Sequence, residues 1–98
     1  MVKLPKNLPV GTLFWVNYSY SEDEQHCALW EVVASDAVRL QICTQGGWDK
    51  NDEASIDEWV PGARFEVLSE DEADRIRMII ALVPHAAQIE AQNRLTPW

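Results

Sequence analysis

Hydrophobic and polar positions follow two different repeats along this chain. Up to about Leu68 the apolar residues form short runs separated by turn-type residues, whereas beyond it they recur at intervals of three and four. Short β-branched and aromatic runs between turns are typical of strands, and the longer spacing is typical of an amphipathic helix. The pattern predicts one α+β domain over residues 1–98, with a β-rich part over 1–68 and a helical part over 69–95.

The longest strand-like run, TLFWVNYSY at residues 12–20, is apolar on both of its faces. A strand with two apolar faces is central in a sheet or belongs to a small barrel. Two further runs, 26–33 and 37–44, predict an antiparallel hairpin, and SIDEW and RFEVL predict two shorter strands. About five short strands of this kind predict a strongly bent antiparallel sheet or an SH3-like or Tudor-like barrel.

The register of the hairpin can be predicted, because residues opposite each other in an antiparallel pair point to the same face. With a loop over residues 34–36, the predicted pairs are Trp30 with Leu40, Val32 with Val38, Ala28 with Ile42, Glu31 with Arg39 and Cys27 with Cys43. The last pair would permit a disulfide. Because the sequence shows no secretory signal, both cysteines are expected to act as small hydrophobic residues. In the last strand, Phe65 and Val67 are expected to point inward.

The helical part begins with a capping box, in which Ser69 is followed three residues later by Glu72. The acids that crowd here (Glu70, Asp71, Glu72 and Asp74) meet the positive end of the helix dipole. Asp71 and Arg75 are expected to form an i,i+4 pair. Helix initiation therefore accounts for most of the acidic cluster.

Two apolar stripes run along the predicted helix. The first should pack on the sheet and comprises Ala73, Ile76, Ile79, Ile80, Val83, Ala87 and Ala91. The second comprises Met78, Leu82, Ala86 and Ile89 and lies on the opposite side. It predicts a dimer contact or a partner contact. Alternatively, Pro84 breaks the helix, and a second helix folds back and covers this stripe.

Net charge narrows the choice of partners. The chain has 98 residues and a formal net charge of -8, from 16 acidic and 8 basic residues. Proteins that bind phosphate backbones rely on Lys and Arg, so direct nucleic-acid binding is not expected. Neither a transmembrane run nor a signal peptide is present, which predicts a cytoplasmic protein without a membrane partner.

No catalytic, cofactor or metal pattern occurs in the sequence. His26 and His85 are the only histidines and have no metal or triad spacing. The acid-rich segment NDEASIDE lacks the calcium-loop pattern, and QGGWDK lacks P-loop spacing. Enzyme activity, metal and cofactors are therefore not expected.

The leading functional hypothesis is a non-enzymatic, acidic protein-interaction module that docks on a basic protein surface. Its most concrete form is an inhibitor that occupies the basic groove of a nucleic-acid-handling protein, as phage anti-restriction and anti-CRISPR proteins do; it would then act in the host cytoplasm. The acids that would mimic phosphates are Glu22, Asp23, Glu24, Asp49, Asp52, Glu53, Asp57 and Glu58. The aromatic anchors would be Trp48, Tyr18 and Tyr20.

Two alternatives remain open. In a Tudor-like barrel, Trp15, Tyr18, Tyr20, Trp48 and Trp59 would supply the walls of a cage for a peptide or a methylated cation. In the other alternative, the protein is a structural subunit that assembles through the second helical stripe, as a homodimer for example.

Overall fold

The computed structural model describes residues 8–21, 24–44, 53–55 and 64–95. The elements in chain order are β1 (Leu13–Ser21), β2 (Glu24–Ala34), β3 (Ala37–Cys43), β4 (Glu53–Ser55), β5 (Arg64–Val67), α1 (Glu70–Leu82) and α2 (Pro84–Asn93). Every strand pairing is antiparallel, and the order across the sheet is β4-β3-β2-β1-β5. The predicted α+β class and the β-then-helix order are therefore confirmed.

The sheet is open in the described part of the chain. Strands β1, β2, β3 and β5 make up its body, and β4 adds only three residues along β3. Strands β4 and β5 occupy opposite edges, and the ladders given for them run to β3 and β1. An open antiparallel sheet, and not a closed SH3-like or Tudor-like barrel, is the architecture that these strands form.

The central hairpin has two β-bulges that the sequence pattern did not reveal. The predicted pairs of Trp30 with Leu40, Val32 with Val38 and Glu31 with Arg39 are confirmed. The loop is shorter than predicted, since Ala34 lies opposite Ala37 and the register shifts between Val32 and Ala34. A bulge absorbs one extra residue in one strand of a pair.

The second bulge changes the face of the sheet on which the side chains at the end of β3 lie. Leu29 pairs with Ile42, and the next pair is Trp30 with Leu40, so Gln41 is the extra residue. The predicted pairs of Ala28 with Ile42 and Cys27 with Cys43 are therefore wrong: Ala28 lies opposite Cys43. Cys27 and Cys43 do not form a disulfide with each other.

Each face of the sheet has its own hydrophobic cluster. The first cluster is Phe14, Val16, Ala28, Trp30, Val32, Val38 and Leu40, with Leu8, Cys43 and Phe65 packed against it. The second lies between the sheet and the helices and contains Leu13, Trp15, Cys27, Leu29, Ile42, Ala73, Ile76, Ala87 and Ala91. The two-sided burial explains why the β1 sequence is apolar on both faces.

The inward position predicted for Val67 is wrong. Its side chain is 44% exposed, whereas Phe65 is half-buried as expected. Val67 is the last residue of an edge strand and has Phe14 of β1 as its ladder partner. A side chain at such a corner has neighbours on one side only, so an apolar residue there stays partly exposed.

Helix α1 begins at the predicted cap. Ser69 is extended, and its hydroxyl accepts a hydrogen bond from the Glu72 amide at 3.3 Å. The Glu72 carboxylate contacts Arg75 at 3.2 Å, and Arg75 also pairs with Glu90 of α2 at 2.8 Å. The predicted ion pair of Arg75 with Asp71 is therefore wrong. The Arg75 guanidinium pairs with Glu72 and Glu90 instead.

We expect Ser69→Ala to lower the free energy of unfolding by about 1 kcal/mol, because it removes the acceptor for an amide at the helix start. Urea denaturation followed by circular dichroism measures this change. Ser69→Asp keeps an acceptor and is the matched control, with stability close to that of the wild type. Equal stability of Ser69→Ala and the wild type would contradict the capping role.

The helical part is broken at Pro84, as one of the two predicted alternatives required. Val83 has the non-helical angles φ -141° and ψ 68°, and Pro84 begins α2 at its first turn. Proline is favoured there because its missing amide hydrogen would have no partner in a first turn. Val83 is 53% exposed, so its predicted core position is wrong. As the link between two helices, it departs from the 3.6-residue repeat.

Candidate functional site

The residues of the second predicted apolar stripe are divided between the two helices, because the helical part is broken at Val83. Its members are Met78 and Leu82 on α1 and Ala86 and Ile89 on α2. Leu82 is 73% exposed, Met78 63% and Ile89 47%, while Ala86 is half-buried. We call these four residues the helix face. Exposed large apolar side chains on the surface of a small domain are candidates for an interaction site.

The second helix does not cover the helix face. It packs toward the sheet through Ala87 and Ala91, which are fully buried beside Ile76 of α1. The prediction that a second helix folds back over the stripe is therefore wrong. The reason is that α2 has its own small-residue side, Ala87 and Ala91, which allows close approach to the sheet, and Ile89 stays 47% exposed.

Acidic side chains adjoin the helix face at the start of α1. Asp71 and Asp74 precede Met78 by seven and four residues, which places all three on one side of a helix. Both carboxylates are exposed. Together α1 and α2 contain five acidic residues and two arginines. Along α1, the exposed side is thus negative in the first half and apolar in the second half.

Both arginines of α1 are engaged within the protein. Arg75 pairs with Glu72 and Glu90. Arg77 lies 3.5 Å from Glu31 of β2, contacts Asp74 at 3.7 Å, and donates a hydrogen bond to the Gly11 carbonyl. These contacts tie α1 to α2 and to the sheet, so the cations contribute to internal packing and leave the surface acidic.

A layer of polar contacts fixes the end of α2 on the sheet. The Arg94 guanidinium stacks on the Trp15 ring at 4.6 Å and forms an ion pair with Glu66 of β5. The Asn17 amide donates to the Arg94 carbonyl at 3.0 Å, and the Cys27 thiol donates to Asn17 Oδ1 at 3.2 Å. Cation–π stacking and a backbone bond together hold the helix in one position.

This layer was not predicted from the sequence. Glu90 and Arg94 have the i,i+4 spacing of a helical ion pair, but Arg94 turns to Glu66 and Glu90 turns to Arg75. The contacts of Arg94 also remove Trp15 from the predicted aromatic cage, since Trp15 is buried beneath the guanidinium. A helix spacing indicates only neighbours on the same helix, so it could not reveal partners on a strand.

Cys27 lies inside this layer as an unreactive thiol. Its side chain is fully buried, and burial raises its pKa from 9.0 to about 12, against the opposing effect of Arg94. The thiolate is the reactive form of cysteine, so a thiol with this pKa is inert near neutral pH. Cys27 therefore has a packing role.

We expect the free energy of unfolding to be independent of Cys27 below pH 9.0 and to fall as the pH rises from 9.0 toward about 12. The unfolded chain loses the thiol proton near its ordinary pKa, whereas the folded protein keeps it, so deprotonation favours unfolding by up to about 1.4 kcal/mol per pH unit. Urea denaturation at pH 8, 9 and 10 measures the slope. Cys27→Ala should show a flatter slope, and identical slopes in the two proteins would contradict the prediction.

The predicted acidic and aromatic surfaces fall largely outside the described residues. This holds for Glu22, Asp23, Trp48, Asp49, Asp52, Asp57, Glu58 and Trp59. Glu24 lies in β2, Glu53 in β4, and Tyr18 and Tyr20 in β1, where the structure describes the backbone. The roles proposed for these residues stay predictions.

The histidines lie apart from each other. His26 is half-buried on β2, opposite Tyr18, and His85 is exposed at the start of α2. Across residues 8–21, 24–44, 53–55 and 64–95, no three His, Cys, Asp or Glu side chains come together as a metal-binding group. Neither α1 nor α2 has the length and apolar content needed to cross a lipid bilayer.

Comparisons of this chain with protein-family models, with curated proteins and with solved structures give no match.

Proposed function

We propose that this protein is a non-enzymatic, acidic protein-interaction module that docks on a basic protein surface. The proposal rests on the helix face. Met78, Leu82 and Ile89 are exposed on helices whose other side is buried against the sheet. Burial of large apolar side chains is the main source of affinity in protein interfaces. A module with such a face gains affinity from the apolar contact and selectivity from its charge.

Charge favours a basic partner. The net charge of -8 attracts a positive surface, speeds encounter with it and disfavours acidic partners. The most concrete form of the proposal is an inhibitor that occupies the basic groove of a nucleic-acid-handling protein in the cytoplasm. The acids listed in the sequence analysis would then take the places of phosphates. Size and charge support this form by analogy with inhibitors of that class.

Assembly into a homodimer is the second candidate, because the same exposed apolar side chains could pair with those of another copy. Analytical ultracentrifugation distinguishes the two candidates. A dimer that becomes monomeric on Leu82→Glu would favour the assembly role. A monomer at all accessible concentrations would favour a different protein as the partner.

The direct test is a comparison of tagged baits in lysate of the native host, washed at low and then at high salt. Three baits are needed: the wild type, Leu82→Glu, and Ser35→Glu, which adds the same charge on the exposed β2–β3 turn. We expect the wild type and Ser35→Glu to retain a basic protein that high salt releases, and Leu82→Glu to lose it. An equal set of proteins on all three baits would overturn the proposal.

A further inference from the structure

The exposed side of helix α1 changes from acidic to apolar along the helix axis. Asp71 and Asp74 lie in its first half, and Met78 and Leu82 follow at helical spacing on the same side. At 1.5 Å per residue, the carboxylates lie about 6 and about 10 Å along the axis from Met78. The surface therefore offers a partner an apolar contact at one end and a negative charge at the other.

The negative end keeps its charge within the folded protein. Asp74 is 79% exposed even though Arg77 lies 3.7 Å from it, and Arg77 is shared with Glu31 and Gly11. Asp71 forms no ion pair with the described residues. Exposed ion pairs of this length contribute little energy, so Asp74 remains available to a second cation.

Pairing of the helix faces of two copies of this chain does not supply that cation. The only basic side chains on α1 and α2 are Arg75 and Arg77, and each has carboxylate partners inside its own protomer. Two copies, each carrying -8, also repel each other at a distance. An anionic membrane and a nucleic acid are disfavoured for the same reason, which leaves a protein segment that carries Lys or Arg.

We infer that the helix face binds a basic amphipathic protein segment, with one large apolar side chain against Met78 and Leu82 and with Lys or Arg beside Asp74 and Asp71. This inference rests on the proposed function and names the chemistry of the partner. It also assigns a binding role to two acids that helix initiation alone would explain. Complementary charge then fixes the direction in which the segment lies on α1.

The test uses two synthetic peptides and the folded protein with isotope-labelled methyl groups. One peptide is a helical Leu/Lys amphipath, and the other has the same sequence with Gln in place of every Lys. Titration is followed by the methyl signals of Met78, Leu82 and Ile89. We expect the Leu/Lys peptide to shift these signals to saturation at low salt, and the Leu/Gln peptide to bind about tenfold more weakly or not at all.

Three variants locate the contact. Asp74→Lys should weaken binding of the Leu/Lys peptide about three- to tenfold and reduce its dependence on salt, whereas Asp36→Lys, the same change on the exposed β2–β3 turn, should leave the affinity nearly unchanged. Leu82→Ala should weaken binding without changing the salt dependence. Circular dichroism verifies that each variant is folded.

Equal affinity of both peptides, or equal effects of Asp74→Lys and Asp36→Lys, would overturn the inference. That result would leave the proposed function standing if the wild-type bait still retains a basic protein from lysate. Conversely, all three baits could retain the same set of proteins while the Leu/Lys peptide still binds at the helix face. This combination would reject the proposed function and leave the inferred chemistry of the helix face standing.

Discussion

Replacing Ile76 with glutamate is expected to unfold the protein, whereas the same substitution at Leu82 leaves it folded. Both residues belong to α1, but Ile76 is 1% exposed in the cluster between the helices and the sheet, and Leu82 is 73% exposed. Burying a carboxyl group and losing the apolar contacts of Ile76 together cost an amount comparable with a small domain's whole stability, so the Ile76 variant is expected to lose its fold. At Leu82 the carboxylate stays in water, and the unfolding free energy should change by less than about 0.5 kcal/mol.

Circular dichroism and urea denaturation of the two variants measure this contrast. Both variants introduce one glutamate into the same helix, so their net charge is equal, and the difference in helix propensity between Ile and Leu is too small to produce the contrast. An unfolded Leu82→Glu protein would show that the helix face is buried, and the proposed docking surface would have to be abandoned. A folded Ile76→Glu protein would show that the helices do not pack on the sheet as described.

Replacing Phe14 with alanine is expected to lower the free energy of unfolding by about 3–5 kcal/mol. Phe14 is fully buried in the cluster on the other face of the sheet. The loss combines the apolar area that alanine no longer buries with the cavity that the ring leaves behind. The prediction tests whether water is excluded from this face of the sheet, as it is from a hydrophobic core.

Two controls accompany the Phe14 variant in urea denaturation. Phe14→Leu keeps most of the buried volume and should lose much less stability than Phe14→Ala. Val10→Ala removes an apolar side chain that is 70% exposed and should change stability by less than about 0.5 kcal/mol. A loss of less than 1 kcal/mol in Phe14→Ala would mean that water already reaches this face.

The helical part was predictable because its signals are local. The Ser69 cap and the buried positions of Ala73, Ile76 and Ala87 follow from spacing along a single segment, and the break at Pro84 was one of the two alternatives that the sequence left open. The exposure of Met78 and Leu82 follows from the same repeat. What spacing did not decide was whether α2 would cover them, because that depends on which side of α2 meets the sheet.

The pairing error at the end of β3 follows from burial on both faces of the sheet. Val38, Leu40 and Ile42 alternate as in a regular strand, and all three are buried. Because the sheet has a core on each face, an apolar residue at position 42 suits either face, so the alternation cannot show the bulge at Gln41. The same two-sided burial made an open sheet and a closed barrel look alike in sequence.

The contacts of Arg94 illustrate a second limit. Its partners, Trp15, Asn17 and Glu66, lie on two strands far away in the sequence. Long-range polar contacts leave no periodic signal, so they appear only in the folded structure. The candidate site was therefore predictable as a stripe of residues, whereas the layer that holds it in place was not.

The most direct test of the proposed docking role is a methyl NMR titration of the labelled protein with the basic protein that the wild-type bait retains. We expect the signals of Met78, Leu82 and Ile89 to shift together at low salt, high salt to reverse these shifts, and the signals of the fully buried methyl groups of Leu29 and Leu40 to stay unchanged. If the signals of the helix face stay unchanged and shifts appear elsewhere on the molecule, the proposed docking role is wrong.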